Sequence, residues 1–147
     1  YKNIVPLFGH ENVTNSSELR RIGKQLFKDK FLGVYAQDTL SLPLGMGNKY
    51  AIINTDKKLD SRGKLNPGIH WVAIASNNNK ILIFDSYGRP TSKLLKHLYK
   101  EIKKNNIKYN DTEYDAEQHW VQENCGQLSV SWLVFFDKYG PEKAKFI

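Results

Sequence analysis

Cys125 is the one cysteine of the chain, and it stands in Glu123-Asn124-Cys125-Gly126-Gln127 at the head of the apolar run Leu128 to Phe136. A thiol there is a candidate nucleophile. Asn124 is a good N-cap residue, which puts Cys125 in the first turn of a helix. Unpaired amides and the helix dipole favour negative charge at that point, and so favour the thiolate. Gly126 costs a helix about 1 kcal/mol against Ala, a cost that makes sense where a substrate carbonyl or backbone must come close. A tetrahedral intermediate needs two donors for its oxyanion. The Cys125 amide supplies one, and Gln118 on the segment entering the helix is the candidate for the other. Gln122 is the rival, but it sits so near Cys125 that little chain is left to fold its side chain back over the sulfur.

A thiol hydrolase also needs a base and an acid to orient it. His70 opens the run His70-Trp-Val-Ala-Ile-Ala75, and Asp85 follows Lys80-Ile-Leu-Ile-Phe84. Both runs read as strands, and Asn77-Asn78-Asn79 between them reads as a hairpin turn. An antiparallel hairpin brings His70 and Asp85 to the same sheet end, where Asp85 holds one ring nitrogen and the other faces Cys125. Trp71 is a candidate wall of the substrate cleft, with a core indole as the plainer reading. Each of these residues has an ordinary explanation by itself: a free cysteine is a common small core residue, a lone histidine is more often structural, and an Asp after a strand is usually a turn residue. Their combination in the order His, acid, Gln, Cys is what argues for chemistry. His119 falls on the loop entering the Cys125 helix, His97 on an earlier helix and His10 on an N-terminal loop, so all three rank below His70. No Cys and His cluster has metal-ligand spacing, and no Gly-rich sequence suits a phosphate.

These residues must be carried by a small set of elements. Ser16-Ser17-Glu18 opens an amphipathic pattern with Leu19, Ile22, Leu26 and Phe27 at helical spacing, predicting a helix over 17–29 capped by a serine hydroxyl. Tyr50 to Asn54, His70 to Ala75 and Lys80 to Phe84 are successive strands, with the Gly- and Pro-rich stretch 42–48 as a loop that can border a cleft. Thr91-Ser92 caps a second helix running to about Lys104, its lysines outward. Residues 107–114 read as another strand, and Cys125 to about Tyr139 as a helix apolar nearly all round and therefore central.

At 147 residues with 40% hydrophobic content the chain suits one domain spanning 1–147. No stretch has the apolar length of a membrane span, and Tyr1-Lys2-Asn3 lacks a signal-peptide core, although the absent initiator Met points to a trimmed start. One cysteine excludes an internal disulfide and suits a reducing compartment, so secretion is not expected. The formal charge of +7, with lysines dense from Lys93 to Lys108, favours polyanions: nonspecific nucleic acid is a candidate partner, and a merely solvated lysine face is the equal alternative.

Phe31-Leu-Gly-Val-Tyr, Ala51-Ile-Ile-Asn-Thr, Gly68-Ile-His-Trp-Val-Ala-Ile, Ile83-Phe-Asp-Ser-Tyr-Gly and the Gln118 to Cys125-Gly126 segment together resemble the adenovirus maturation protease (adenain) family, from the first helix to the last. The chain is similar, more distantly, to the SUMO and ubiquitin-like-protein proteases, which share the same residue order. The resemblance implies an α+β, papain-like (adenain/Ulp-type) cysteine protease fold: a mixed, mostly antiparallel sheet packed against a central buried helix that carries the nucleophile. It implies a monomeric viral maturation endopeptidase, cleaving capsid or core precursors near glycine, found in the virion and the infected host cell. His70 is then the base, Cys125 the nucleophile and Gln118 the oxyanion donor, with Asp85 standing where adenain has Glu. No cofactor is required for the chemistry. DNA and an activating peptide stimulate the relative, but its disulfide tether to that peptide needs a second cysteine, which this chain lacks. Two alternatives stand beside this reading: a deubiquitinase or deSUMOylase acting on host conjugates, and a basic nucleic-acid-binding virion protein whose cysteine is inert.

Overall fold

A computed structural model describes residues 15–55, 59, 61–64, 70–112 and 125–145. Helix α1 spans Ser16–Phe27, and its cap is Asn15 rather than a serine: the Asn15 side-chain oxygen accepts a hydrogen bond from the Glu18 amide at 2.9 Å. Its buried stripe is Leu19, Ile22, Gly23 and Phe27, as the helical spacing requires. The helix ends earlier than the predicted residue 29, because Lys28 turns to a positive φ of 54° and Lys28–Lys30 tighten into a 3₁₀ turn.

Among the described residues five strands follow: β1 Phe31–Ala36, β2 Asn48–Asn54, β3 Trp71–Asn77, β4 Lys80–Phe84 and β5 Tyr109–Asp111. They lie side by side in chain order. β2/β3 and β3/β4 pair antiparallel, whereas β1/β2 and β4/β5 pair parallel. The sheet is therefore mixed in equal measure, which corrects the expectation of mostly antiparallel pairing. A direct turn joins only β3 to β4. Asn78 and Asn79 take φ of 51° and 67° there, the left-handed pair that a two-residue hairpin requires and that asparagine tolerates.

Both sheet faces are buried, so β2 to β4 read as nearly continuous apolar runs. Tyr50, Ile52, Ala73, Ala75, Leu82 and Phe84 point to one side, into a core shared with α1 and with helix α4, Cys125–Tyr139. Ala51, Ile53, Val72, Ile74, Ile81 and Ile83 point to the other, against Leu95, Leu98 and Ile102. The predicted second helix is two helices, α2 Thr91–Leu94 and α3 Lys96–Lys104. Leu95 breaks it, leaving helical geometry at φ −126°, ψ 65° while its fully buried side chain enters the core. Thr91 does not cap it either. Pro90 holds the cap position, and Thr91 is buried with its amide and hydroxyl donating to the Asp111 carboxylate, tying α2 to β5. β5 is shorter than its predicted range, and residues 113 and 114 lie outside the described part.

Helix α4 lies across β3 and β2 and is buried along Cys125 to Val130 and at Trp132, Leu133 and Phe136. Two anchors fix it. The buried Tyr50 hydroxyl donates to Asp137 at 2.7 Å, and Lys30 reaches the same carboxylate at 2.6 Å. Burial, together with that bond to Asp137, holds the Tyr50 phenol far above its usual range. At the other side the Trp132 indole donates to the Ala144 carbonyl at 3.1 Å, seating the short helix α5, Pro141–Ala144. Among the described residues no helix is long and apolar enough to cross a membrane.

Candidate active site

Residue order along β3 and β4 decides where the imidazole and the carboxylate meet. Ala73 pairs with Phe84, so His70, immediately before β3, and Asp85, immediately after β4, emerge at the same sheet end. His70 sits just outside the strand rather than opening it, and its carbonyl accepts from the Thr55 amide at 3.0 Å. Both side chains are buried, and His70 Nε2 is hydrogen-bonded to Asp85 Oδ1.

Cys125 reaches this end because α4 crosses β3 with its first turn over the strand's start. The Trp71 amide donates to Cys125 Sγ at 3.5 Å, and one helical turn on, the buried Ser129 hydroxyl donates to the Trp71 carbonyl at 3.2 Å. The two ends of a single residue's backbone thus pin the helix start to the strand start. Trp71 itself is buried in the core cluster with Cys125, which matches the plainer reading of its indole; its amide is what meets the thiol. Gly126, next along the helix, is buried as well.

The Cys125 thiol lies near enough to the His70 imidazole, whose Nε2 is taken by Asp85, to act on its protonation. Burial pulls the imidazole pKa down. Hydrogen bonds to Asp85 and Cys125, with the charges they carry, outweigh that pull and leave it above the ordinary 6.5. For Asp85 burial pushes upward, but the bonds to His70 and Arg89 win and hold the carboxyl below the ordinary 3.8. Both shifts favour an imidazolium beside a carboxylate.

Three residues at the site escaped the reading of the sequence. Ser129 is one. Arg89 is another: its backbone amide and its Nε donate to Asp85 Oδ2 at 2.9 and 3.0 Å. Tyr87 is the third, its ring stacked on His70 at 5.0 Å between centroids and lying under the Arg89 guanidinium at 4.8 Å. The available signal was a turn: Asp85-Ser86-Tyr87-Gly88 closes with the Gly88 amide donating to the Asp85 carbonyl at 2.8 Å and Gly88 at φ 73°. Such a turn brings residue i+4 back over residue i.

Gln118, its rival Gln122, the cap residue Asn124, and His119 and His10 lie outside the described residues. His97 is on α3, which covers the opposite sheet face, and its amide donates to Gln37 Oε1. Among the described residues no group of acids, histidines and thiol has a metal-binding arrangement. A concavity of about 400 Å³ lined by Asn77, Lys80, Tyr109 and Lys145 opens at the far end of β3. Its lining also includes Glu142 and Lys108, and neither His70 nor Cys125 belongs to it. The chain matches no protein-family model and no curated protein.

Proposed function

We propose that the protein is a cysteine endopeptidase with a papain-like site, of the adenain and Ulp type that its sequence resembles. The observation that carries this reading is the gathering of three groups at one sheet end: His70 is bonded to Asp85 through Nε2, and the one thiol of the chain, Cys125, lies beside it with its sulfur on the amide of the next residue, Trp71. A core cysteine has no need of a buried, acid-paired imidazole. Such an arrangement transfers the thiol proton to His70 and stabilises the resulting ion pair.

In the proposed reaction the Cys125 sulfur attacks the peptide carbonyl carbon, forming the C–S bond and an oxyanion held by the Cys125 amide and, on this reading, by Gln118. The His70 imidazolium gives its proton to the departing amide nitrogen as the C–N bond breaks. Water then attacks the thioester, losing a proton to His70, and the thiolate leaves. Asp85 keeps the ring oriented and offsets its charge throughout. The substrates are viral capsid or core precursors cut near glycine; ubiquitin-like conjugates form the alternative substrate class. Nucleic acid binds the basic surface as a stimulator.

The test is to incubate the protein with candidate precursors, with and without DNA, and to map new termini by mass spectrometry. Cys125→Ala is expected to abolish cleavage with the fold intact, and Gln118→Ala to slow it by about a hundredfold or more. Cleavage by Cys125→Ala at the wild-type rate would end the proposal.

A further inference from the structure

Asp85 has two carboxylate oxygens and divides them. Oδ1 is bonded to His70 Nε2; Oδ2 takes both the backbone amide and the Nε of Arg89, at 2.9 and 3.0 Å. A carboxylate on a two-bond side chain rotates freely unless both oxygens are held, and here one residue holds the second oxygen by two donors in fixed geometry. The Arg89 guanidinium also lies over the Tyr87 ring, which in turn stacks on the His70 ring. Imidazole, phenol, guanidinium and carboxylate are thereby linked pairwise into a closed ring of four side chains from 70, 87, 89 and 85.

Resting on the hydrolase reading above, we propose that Arg89 is a positioning residue for the Cys125 reaction: it fixes Asp85 Oδ2, so that Oδ1 and the Tyr87 face together set the plane of the His70 ring beside the sulfur. Asp85 reaches the imidazole from the end of β4 with its short side chain, and Arg89 constrains the orientation of that carboxylate. The charged and titratable groups facing His70 among the described residues are Asp85 from the end of β4, Cys125 from α4 and Tyr87 from the turn, with Arg89 behind Asp85.

The role separates from a purely electrostatic one by sign. Deleting only the Arg89 charge would leave Asp85 a stronger partner and raise the His70 pKa; loosening Asp85, left with the residue-89 backbone amide alone on Oδ2, weakens the bond to Nε2 and lowers it. The experiment measures Cys125 alkylation by iodoacetamide against pH and His70 titration by NMR, neither of which needs a peptide substrate. Arg89→Met is expected to slow alkylation about tenfold or more and to move the His70 pKa down towards 6.5. Arg89→Lys, which keeps the charge without the planar fork, is expected to recover less than half of the lost rate. Tyr87→Leu should also slow alkylation, with Tyr87→Phe recovering most of it, and serves if the Arg89 variants do not fold. An unchanged rate and titration in Arg89→Met, a rise in the His70 pKa, or full recovery by Arg89→Lys would each overturn the proposal. Failure of the hydrolase reading looks different: wild-type alkylation would be slow and indifferent to His70→Ala.

Discussion

At the scale of single residues, the pair His70 and Asp85 ties site chemistry to stability. Asp85 has a folded pKa below its ordinary 3.8, so it contributes stability above that value, which is lost as the pH falls through the folded value. His70 has a folded pKa above its ordinary 6.5, so its contribution is complete below 6.5 and is lost as the pH rises through the folded value. The pair therefore stabilises most between 3.8 and 6.5, and the melting temperature is expected to fall on both sides. Asp85→Asn should cost about 1.5–3 kcal/mol near the middle of that window and flatten both slopes, read from thermal melts across pH. An Asp85→Asn variant with the wild-type pH profile would show that the pair carries no linkage. On the proposed mechanism the same His70 shift sets the alkaline limb of cleavage, because the imidazolium must protonate the departing amine: that limb is expected above pH 6.5.

At the scale of elements, the contact of α1 with β1 shows how helix propensity and packing compete. Gly23 lies in mid-helix, where Ala would gain about 1 kcal/mol in propensity. A Cβ built there overlaps the ring of Phe31, which is 1% exposed and stacked near Phe27. A ring so enclosed has no room to retreat, and overpacking of this kind costs about 1–3 kcal/mol. Gly23→Ala is thus expected to destabilise by up to about 2 kcal/mol in urea unfolding, the reverse of the propensity prediction. Helix α4 depends on a different device, a polar anchor at each side of an apolar surface: Tyr50 and Lys30 on Asp137, Trp132 on Ala144. These anchors set its rotation, and Ser129 against Trp71 sets its height, so that the Cys125 sulfur arrives beside the start of β3.

At the scale of the whole molecule, one cluster of positive charge lies on the sheet face away from the thiol. Lys93, Lys96, Lys100, Lys103 and Lys104 are all exposed along α2 and α3, which cover the sheet face opposite α4. A polyanion held there would not block Cys125. If nucleic acid binds this face, affinity should fall steeply with salt, log K against log [salt] having a slope of about −0.9 for each phosphate neutralised on duplex DNA. Charge reversal at Lys93, Lys96 and Lys100 is expected to flatten that slope by about two to three units in fluorescence anisotropy while leaving Cys125 alkylation unchanged. A slope unaffected by the three reversals would move the nucleic-acid surface elsewhere.

The amino-acid sequence by itself determined the parts of this protein that depend on local or periodic information. The apolar spacing of α1, the asparagine turn between β3 and β4, the all-round apolar helix at Cys125, and the meeting of His70 with Asp85 across that hairpin all follow from residues near one another in the chain. Tertiary structure decided what depends on partners far apart. β1 pairs parallel because α1 and β2 flank it, and the 91–104 helix breaks because Leu95 is more stable in the core than in register. Thr91 leaves its capping role for Asp111. The approach of Cys125 to His70 is of the same kind. Seating α4 across β3 buries a large apolar surface and engages the Trp71 backbone at two points, and no spacing rule along the chain encodes where a helix comes to rest on a sheet.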